Sequence, residues 1–493
     1  MNKPQQETNP ALVEDQYLSG MYLSDGWQAG ANLADAAEPA TGKSLGKIAL
    51  TDGKDISAAA ATARKNQQAW AALTPDERAA VFLKALQVGS AFENEIVDWI
   101  VRESGSARAK AGFELKIALK AIQLAAAMPH QAQGLVLPST PGRISLARRR
   151  PIGVIGVIAP FNFPLYLAMR AVAPALAVGN AVVLKPDPRT AICGGLVIAR
   201  LFELAGLPSG VLHVMPGGTE AGEALCSDPN IGMIQFTGST GAGRMVGQNA
   251  SRNLKKVSLE LGGKNSIIIL DDADLDLAVR NAAWGAWLHQ GQICMSSGRI
   301  LVHESIAPQF IAALAQKAGA LPVGNPADDG IAIGPLINQR QLDHVAKVVA
   351  DSVAAGARLE AGGKADNLFF QPTVLSGVTA GMPAFEQEIF GPVAVVTTFK
   401  TDAEAIELAN QTEYGLSAAI VSHNVARAVA IGDQLRTGLL HINDQTVNDD
   451  VVNPFGGVGA SGNGTSIGGP ANWEEFTEWQ WVTIKSEAPA YPF

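Results

Sequence analysis

Cysteine, basic runs and long apolar stretches are all scarce in this chain. Its 493 residues hold 3 cysteines, Cys193, Cys226 and Cys294, which suit neither a disulfide framework nor zinc-ligand spacing. No metal site is expected, and a reducing, cytoplasmic setting fits this cysteine usage. Lys and Arg number 37 against 46 Asp and Glu, a net charge of −9, and the one basic run, Arg148–Arg150, makes no groove. Nucleic acid and anionic membranes, which are held by clustered basic residues, are thereby excluded as partners. No apolar run reaches the ~20 residues of a membrane-spanning helix. The nearest candidate, from Leu165 to Leu184, is broken by Arg170, Pro174, Gly179 and Asn180. The first residues, MNKPQQETNPALVEDQ, lack the apolar core of a secretory signal. What is present is 47% hydrophobic and 17% charged residues, the balance of a globular protein. At ~150 residues per domain, the length predicts two to four domains.

Residues 55–130 read as helical, with Thr74 and Pro75 opening one helix as cap and first-turn residue. From Pro151 the texture changes. PIGVIGVIAP, AVVLKP, VLHVMP, IGMIQFTG, KKVSLELGG and SIIIL are short β-branched runs bounded by Gly or Pro, separated by helix-like segments. That alternation predicts βαβ units and parallel sheets with both faces covered. It resumes after Asp272, with strands near Arg299–His303 and Val393–Phe399, so two α/β domains meet near Leu261–Lys264. Gly142–Arg150 and Glu478–Lys485 alternate in strand fashion without accompanying helices. They are expected to pair in a small extra sheet whose edges invite subunit contacts.

Four segments carry chemistry. FTGSTGAG (Phe236–Gly243) runs from a strand into a helix start, which suits a phosphate or simply a turn that needs small residues. GQICMSSGR (Gly291–Arg299) sets Cys294 among small and polar neighbours, as an accessible thiol nucleophile requires, whereas Cys193 and Cys226 sit in helix-packing contexts. SLELGGK (Ser258–Lys264) isolates Glu260 among apolar residues. Desolvation would raise its pKa toward that of a general base, unless the residue is an ion-paired structural acid. EQEIFGPV (Glu386–Val393) offers Glu388 to ribose hydroxyls and Phe390 to a planar group, or else a surface acid beside a core ring.

Taken in order, IAPFNFPL (Ile158–Leu165), VLKP (Val183–Pro186), FTGSTGAG, LELGGK, GQICMSSGR, EIFGPV, PFGGVGASGNG (Pro454–Gly464) and the closing FTEWQWVTI resemble the aldehyde dehydrogenase superfamily. The texture of YLAMRAVAPALAVGNAVVLKPDPRT is most like its benzaldehyde and vanillin dehydrogenase branch. The resemblance implies a Rossmann-like cofactor domain (1–129 and 152–262), an α/β catalytic domain (263–460) and a small β oligomerisation element (130–151 and 475–493). It implies Cys294 as nucleophile toward the aldehyde and Asn162, with the Cys294 backbone N–H, as oxyanion donors. Hydride would pass to a nicotinamide, and Glu260 would activate the water that hydrolyses the thioester. Lys185 and Glu388 would hold ribose hydroxyls, Ser239 the pyrophosphate and Phe390 the nicotinamide. Pro160 and Gly238 belong to the same cofactor set, and Asn443 would brace the catalytic loop. A homodimer or homotetramer is implied as well.

The sequence departs from the superfamily pattern in places. Pro188 stands where NAD-preferring members often carry a glutamate, with Arg189 next to it and Asp187 before it, so NADP is admitted beside NAD. Ala171 replaces a frequent lysine and follows Arg170. Glu478 is either an acceptor of a proton from the site or a solvated edge charge. Phe163, Tyr166, Trp284, Trp287 and Met295 flank the matched segments and could wall an aromatic tunnel, whose flat apolar surface favours a planar ring. Arg170 could hold a substrate carboxylate, a phenolic oxygen or a structural acid. An aromatic aldehyde oxidised to its acid is therefore expected. A semialdehyde or aliphatic aldehyde is the alternative, and a CoA-acylating enzyme, a thiol hydrolase and a non-catalytic relative stand further off.

Overall fold

A computed structural model of the chain describes residues 11–132 and 134–493. Its architecture is α/β, built on two seven-stranded sheets. In the first, Lys256–Glu260, Met233–Thr237, Val154–Ile158, Ala181–Lys185 and Leu212–Val214 run parallel in that spatial order. Met21–Ser24 and Gly26–Ala29 then close one edge antiparallel, a hairpin that the sequence pattern did not announce. Both faces of the parallel part are covered, so strands such as VIGVI and AVVLK are buried at every position. This is why they read as unbroken apolar runs rather than alternating ones.

Four helices precede the parallel strands: Gly53–Ala72, Pro75–Ala91, Glu93–Ser104 and Arg108–Ala127. Thr74 starts the second as read from sequence. Its hydroxyl accepts from Glu77 N–H while the Glu77 carboxylate accepts from Thr74 N–H, which satisfies two otherwise free donors.

The second sheet runs Arg358–Ala361, Thr373–Ser376, Val393–Phe399, Arg299–His303, Ser266–Ile269, Ser417–Val421 and Leu439–Ile442, with only the first strand antiparallel. Apart from Gly142, which sits in the preceding turn, Gly142–Arg150 and Glu478–Lys485 fall within the strands Arg143–Pro151 and Thr477–Lys485, which pair antiparallel over their full length, from Thr477 opposite Pro151 to Lys485 opposite Arg143. Gly134–Val136 adds a third strand. This sheet leaves Leu135, Val136, Trp479 and Trp481 exposed. No helix among the described residues is long and apolar enough to cross a membrane.

Candidate active site

A cavity of about 240 Å³ is walled by Phe113, Phe163, Tyr166, Trp284, Met295 and Phe455, and Asn162 and Cys294 share its lining. The loop carrying Cys294 is held in a conformation that most side chains resist. After the helix Leu275–Trp287, the residues His289, Gln290 and Gly291 all take positive φ, at 49°, 57° and 66°. Such a run persists only where its surroundings over-determine it. Here Gln290 Nε2 donates to the carbonyls of Gly105 (2.7 Å) and Pro335 (2.9 Å), and Gln292 Oε1 accepts from Ile337 N–H (3.0 Å). Asn265 Nδ2 donates to the carbonyls of Cys294 (2.7 Å) and Ser296 (2.9 Å). A Cβ at Gly263 would lie 2.6 Å from the Cys294 carbonyl oxygen, so glycine is required there. Burial pushes the Cys294 thiol up to about 12, and the carboxylates of Glu388, Glu260 and Asp449 add to that.

Asn162 reaches the same loop, with Nδ2 donating to the Gln292 carbonyl at 2.9 Å. Its own segment stands on a buried ion pair. Lys110 Nζ lies 2.5 Å from Glu114 Oε2, both side chains are fully buried, and Nζ also donates to the Asn162 carbonyl at 2.7 Å. Glu114 Oε1 in turn accepts from the N–H groups of Leu165 (2.9 Å) and Tyr166 (3.2 Å), at the start of the helix Pro164–Ala177. Removing one partner strands the other charge in the interior. Lys110→Met is therefore expected to lower stability by about 3–5 kcal/mol. The exposed neighbour replacement Lys116→Met is expected to stay within about 0.5 kcal/mol. Urea midpoints of the two variants check both values.

The remaining polar groups collect at the carboxyl ends of the first sheet's parallel strands, the edge at which such sheets bind nucleotides. Pro160 follows Val154–Ile158, Lys185 ends Ala181–Lys185, Gly238 follows Met233–Thr237 and Glu260 ends Lys256–Glu260. Lys185 Nζ donates to the Gly217 carbonyl at 2.8 Å. Ser239 caps the thirteen-residue helix Thr240–Arg252, and a Cβ at Gly241 would meet nothing within 4 Å, which leaves the helix start open to a ligand. Glu388 Oε1 accepts from Gly263 N–H at 3.0 Å, and burial pushes its carboxyl up to about 7 against the pull of that N–H and of Lys264. Phe390, at φ 53°, sets its ring edge-on to Phe161 with centroids 5.9 Å apart. A helix start for phosphates, an ammonium and a carboxylate for hydroxyls and a ring for a planar base fit a dinucleotide. Among the described residues, no three His, Cys, Asp or Glu side chains converge as metal ligands would.

The model of the aldehyde dehydrogenase family matches residues 27–482. The chain belongs to that family. It is 51% identical over 486 residues to a vanillin dehydrogenase from Amycolatopsis sp., covering 98% of this chain and 100% of that one. It is 48% identical over 476 residues to a Pseudomonas putida protein named benzaldehyde dehydrogenase [NAD(+)], covering 96% and 98%. A betaine aldehyde dehydrogenase from Staphylococcus aureus, solved in complex with NAD+, superposes with a TM-score of 0.94 at 28% identity, over 97% of each chain.

Within this family member the cavity brings together Asn162, Phe163, Tyr166, Trp284, Cys294 and Met295, and it leaves out other residues expected on its wall. Trp287 is sealed in the apolar core against the second sheet. Arg170 lies behind the wall, with its guanidinium engaged by the Asp449 carboxylate and by the Ile467 carbonyl (2.9 Å) and stacked 4.5 Å from the Phe455 ring. Of the three partners considered for Arg170, a structural acid is the one it has. Glu260 is 3% exposed, and neither carboxyl oxygen has a hydrogen-bond partner. Burial raises its pKa well above the usual range; Arg170 opposes the shift, while Asp449 and Glu475 add to it. The acid facing Glu260 from the C-terminal segment is thus the buried Glu475, whereas Glu478 points to solvent from the terminal strand. Asn443 does not brace the cysteine loop. Its Oδ1 accepts from Ser422 N–H at 2.9 Å, and Asn265 does the bracing instead. Lys110, Glu114, Asn265 and the segment from Asp444 to Asp449 were missed from sequence; only Asn265, directly after LELGGK, lay next to a recognised motif.

Proposed function

We propose that this protein oxidises aromatic aldehydes to carboxylic acids with NAD, in the cytoplasm and as a homodimer or homotetramer. The observation that carries this reading is the aromatic-walled cavity that ends on Cys294. A benzene ring slides between such walls with gain from area burial and edge contacts. Its formyl carbon then meets the sulfur of Cys294, which adds as thiolate to give a thiohemiacetal. Asn162 Nδ2 and the Cys294 N–H are the donors for the oxygen that gains charge. NAD, when bound, supplies the hydride acceptor through which the thiohemiacetal becomes a thioester. Glu260 then takes a proton from water as that water attacks the thioester, so the acid leaves and the thiol is restored. A role for Glu260 favours release to water over transfer to CoA. Arg170, committed to Asp449, has no free guanidinium for the carboxylate of a semialdehyde. Arg189 is likewise tied to Asp187 by two bonds, of 2.8 and 2.6 Å, so its charge is balanced and NAD rather than NADP is the expected partner. The exposed Trp479, Trp481 and Val136 of the three-stranded sheet suit burial against a second copy of the chain.

Initial rates with NAD and NADP on benzaldehyde, vanillin, succinate semialdehyde and a medium-chain alkanal test the reading. The aromatic pair with NAD is expected to lead in kcat/KM by roughly tenfold or more, since a pocket of matched shape discriminates by ~1–3 kcal/mol. A lead for succinate semialdehyde would overturn the substrate assignment.

A further inference from the structure

Apart from the reacting groups Asn162 and Cys294 and the Tyr166 hydroxyl, the polar lining of the cavity comes from the segment from Asp444 to Asp449, which supplies two carboxylates. Asp444 has both oxygens occupied, Oδ1 by Gln445 N–H and Oδ2 by Asn448 Nδ2, each at 2.8 Å. Asp449 differs. Its two hydrogen bonds, from Tyr166 Oη at 2.8 Å and from Arg170 Nη1, both arrive at Oδ2. Oδ1 accepts none among the described residues and is not among the sealed atoms without a partner, so it is the accessible oxygen of a carboxylate that lines the cavity. The side chain is 9% exposed and its charge is balanced from behind by Arg170, whose own side chain is 3% exposed. An apolar slot with one charged acceptor left open in its wall is built for a ligand with a single donor on an otherwise flat, apolar body. The protein already displays the matching contact, because the donor on Oδ2 is itself a phenol, that of Tyr166.

We infer that Asp449 Oδ1 receives a hydrogen bond from a ring hydroxyl of the substrate, so that this enzyme selects hydroxylated aromatic aldehydes over their methyl-capped counterparts. The inference rests on the aromatic-aldehyde reading and sharpens it: Asp449 sets specificity, and Arg170 and Tyr166 position it. A site built to pair with a substrate hydroxyl rejects the analogue lacking the donor, because its own buried acceptor is then left without a partner.

The test is the initial rate of NADH formation on benzaldehyde, the three hydroxybenzaldehydes and their three methyl ethers. A methyl ether keeps the electronic push of oxygen on the ring and replaces the donor proton by a methyl group, whose bulk alone would leave the preference unchanged in Asp449→Asn. At least one hydroxybenzaldehyde is expected to exceed its methyl ether in kcat/KM by ~10-fold or more, the range for a hydrogen bond to a charged group. In Asp449→Asn that ratio is expected to fall toward unity. Should Asp449→Asn fail to fold with Arg170 unpaired, Arg170→Met/Asp449→Leu replaces the buried pair by apolar side chains and carries the same expectation. Oxidation of benzaldehyde without a hydroxyl preference in the wild type would overturn this inference alone, as would a preference that survives loss of the Asp449 carboxylate. Failure to oxidise any aromatic aldehyde would overturn the functional reading together with it.

Discussion

Cys294→Ala is expected to lower kcat/KM for benzaldehyde by at least ~10⁴, the scale on which loss of a covalent nucleophile is felt, while NAD binding followed by protein fluorescence stays within about threefold of wild type, the size of change a distant contact leaves. The loss should be this complete because nothing in the chain can substitute. Cys193 and Cys226 are fully buried in the core around the first sheet, and burial pushes the Cys193 thiol well above its ordinary range and the Cys226 thiol up to about 11. Alanine also leaves the loop intact. Asn265 holds Cys294 through its carbonyl oxygen and Gln290 holds the preceding turn, neither through the sulfur. The same geometry fixes the sign of the pH dependence. With the thiol pushed up to about 12 by burial and by three nearby carboxyl groups, the reactive thiolate is the minor form at neutral pH. Wild-type kcat/KM should therefore climb with pH through the neutral range, and Cys294→Ala should show no such limb above background. An alanine variant with more than a hundredth of the wild-type rate would remove Cys294 from the mechanism, since even partial general-base catalysis accounts for ~10²-fold.

The reading from sequence reached the strands and the ends of strands because their signals are local. A run such as AVVLK, bounded by Gly179 and Pro186, can only be a buried strand, and its last residue, Lys185, then falls at the edge where a nucleotide binds. Cys294 and Glu260 stood out for a related reason, as a thiol and a carboxyl among small or apolar neighbours, and the structure sets Cys294 in the cavity lining and buries Glu260. What stayed hidden is set by packing between segments distant in the chain. Lys110 and Glu114, at a spacing typical of exposed helical pairs, give no local sign that both are fully buried under the loop of Asn162. Asp449 looks like a surface acid in VNDDVV. Its meaning arises only when the chain returns across the cavity and sets it against Arg170, 279 residues earlier. Arg170 was noticed as an intruder in an apolar helix, but its partner could not be named without the fold. Glu475 and Glu478 differ by three residues at the junction of a short helix and the terminal strand, and the strand's alternation turns Glu478 outward while Glu475 stays buried.

Glu260→Gln is expected to separate catalysis from stability in opposite directions. If Glu260 takes the proton from the attacking water, the amide cannot replace it, and steady-state kcat should fall by ~10²–10⁴, the range for a lost general base. The first turnover should survive. Addition of the thiol and the hydride step do not call on this carboxyl, so rapid mixing should show one equivalent of NADH formed quickly before turnover stalls at the thioester. Stability should move the other way. The buried carboxyl of Glu260 accepts no hydrogen bond, and burial raises its pKa well above the ordinary value of 4.5. In the unfolded chain it ionises from about pH 4.5 upward, whereas in the folded protein it ionises only at higher pH, and that ionised form is the one that acts as base. The folded state then binds more protons than the unfolded state, and stability falls as pH rises across that interval. Glutamine has the same shape and nothing to ionise, so the variant escapes this loss. Its melting temperature should match that of the wild type near pH 4.5 and exceed it by a growing margin toward pH 8. A variant less stable than wild type at pH 8 would mean that Glu260 has an ionic partner, and unchanged kcat with no NADH burst would take the base role from it.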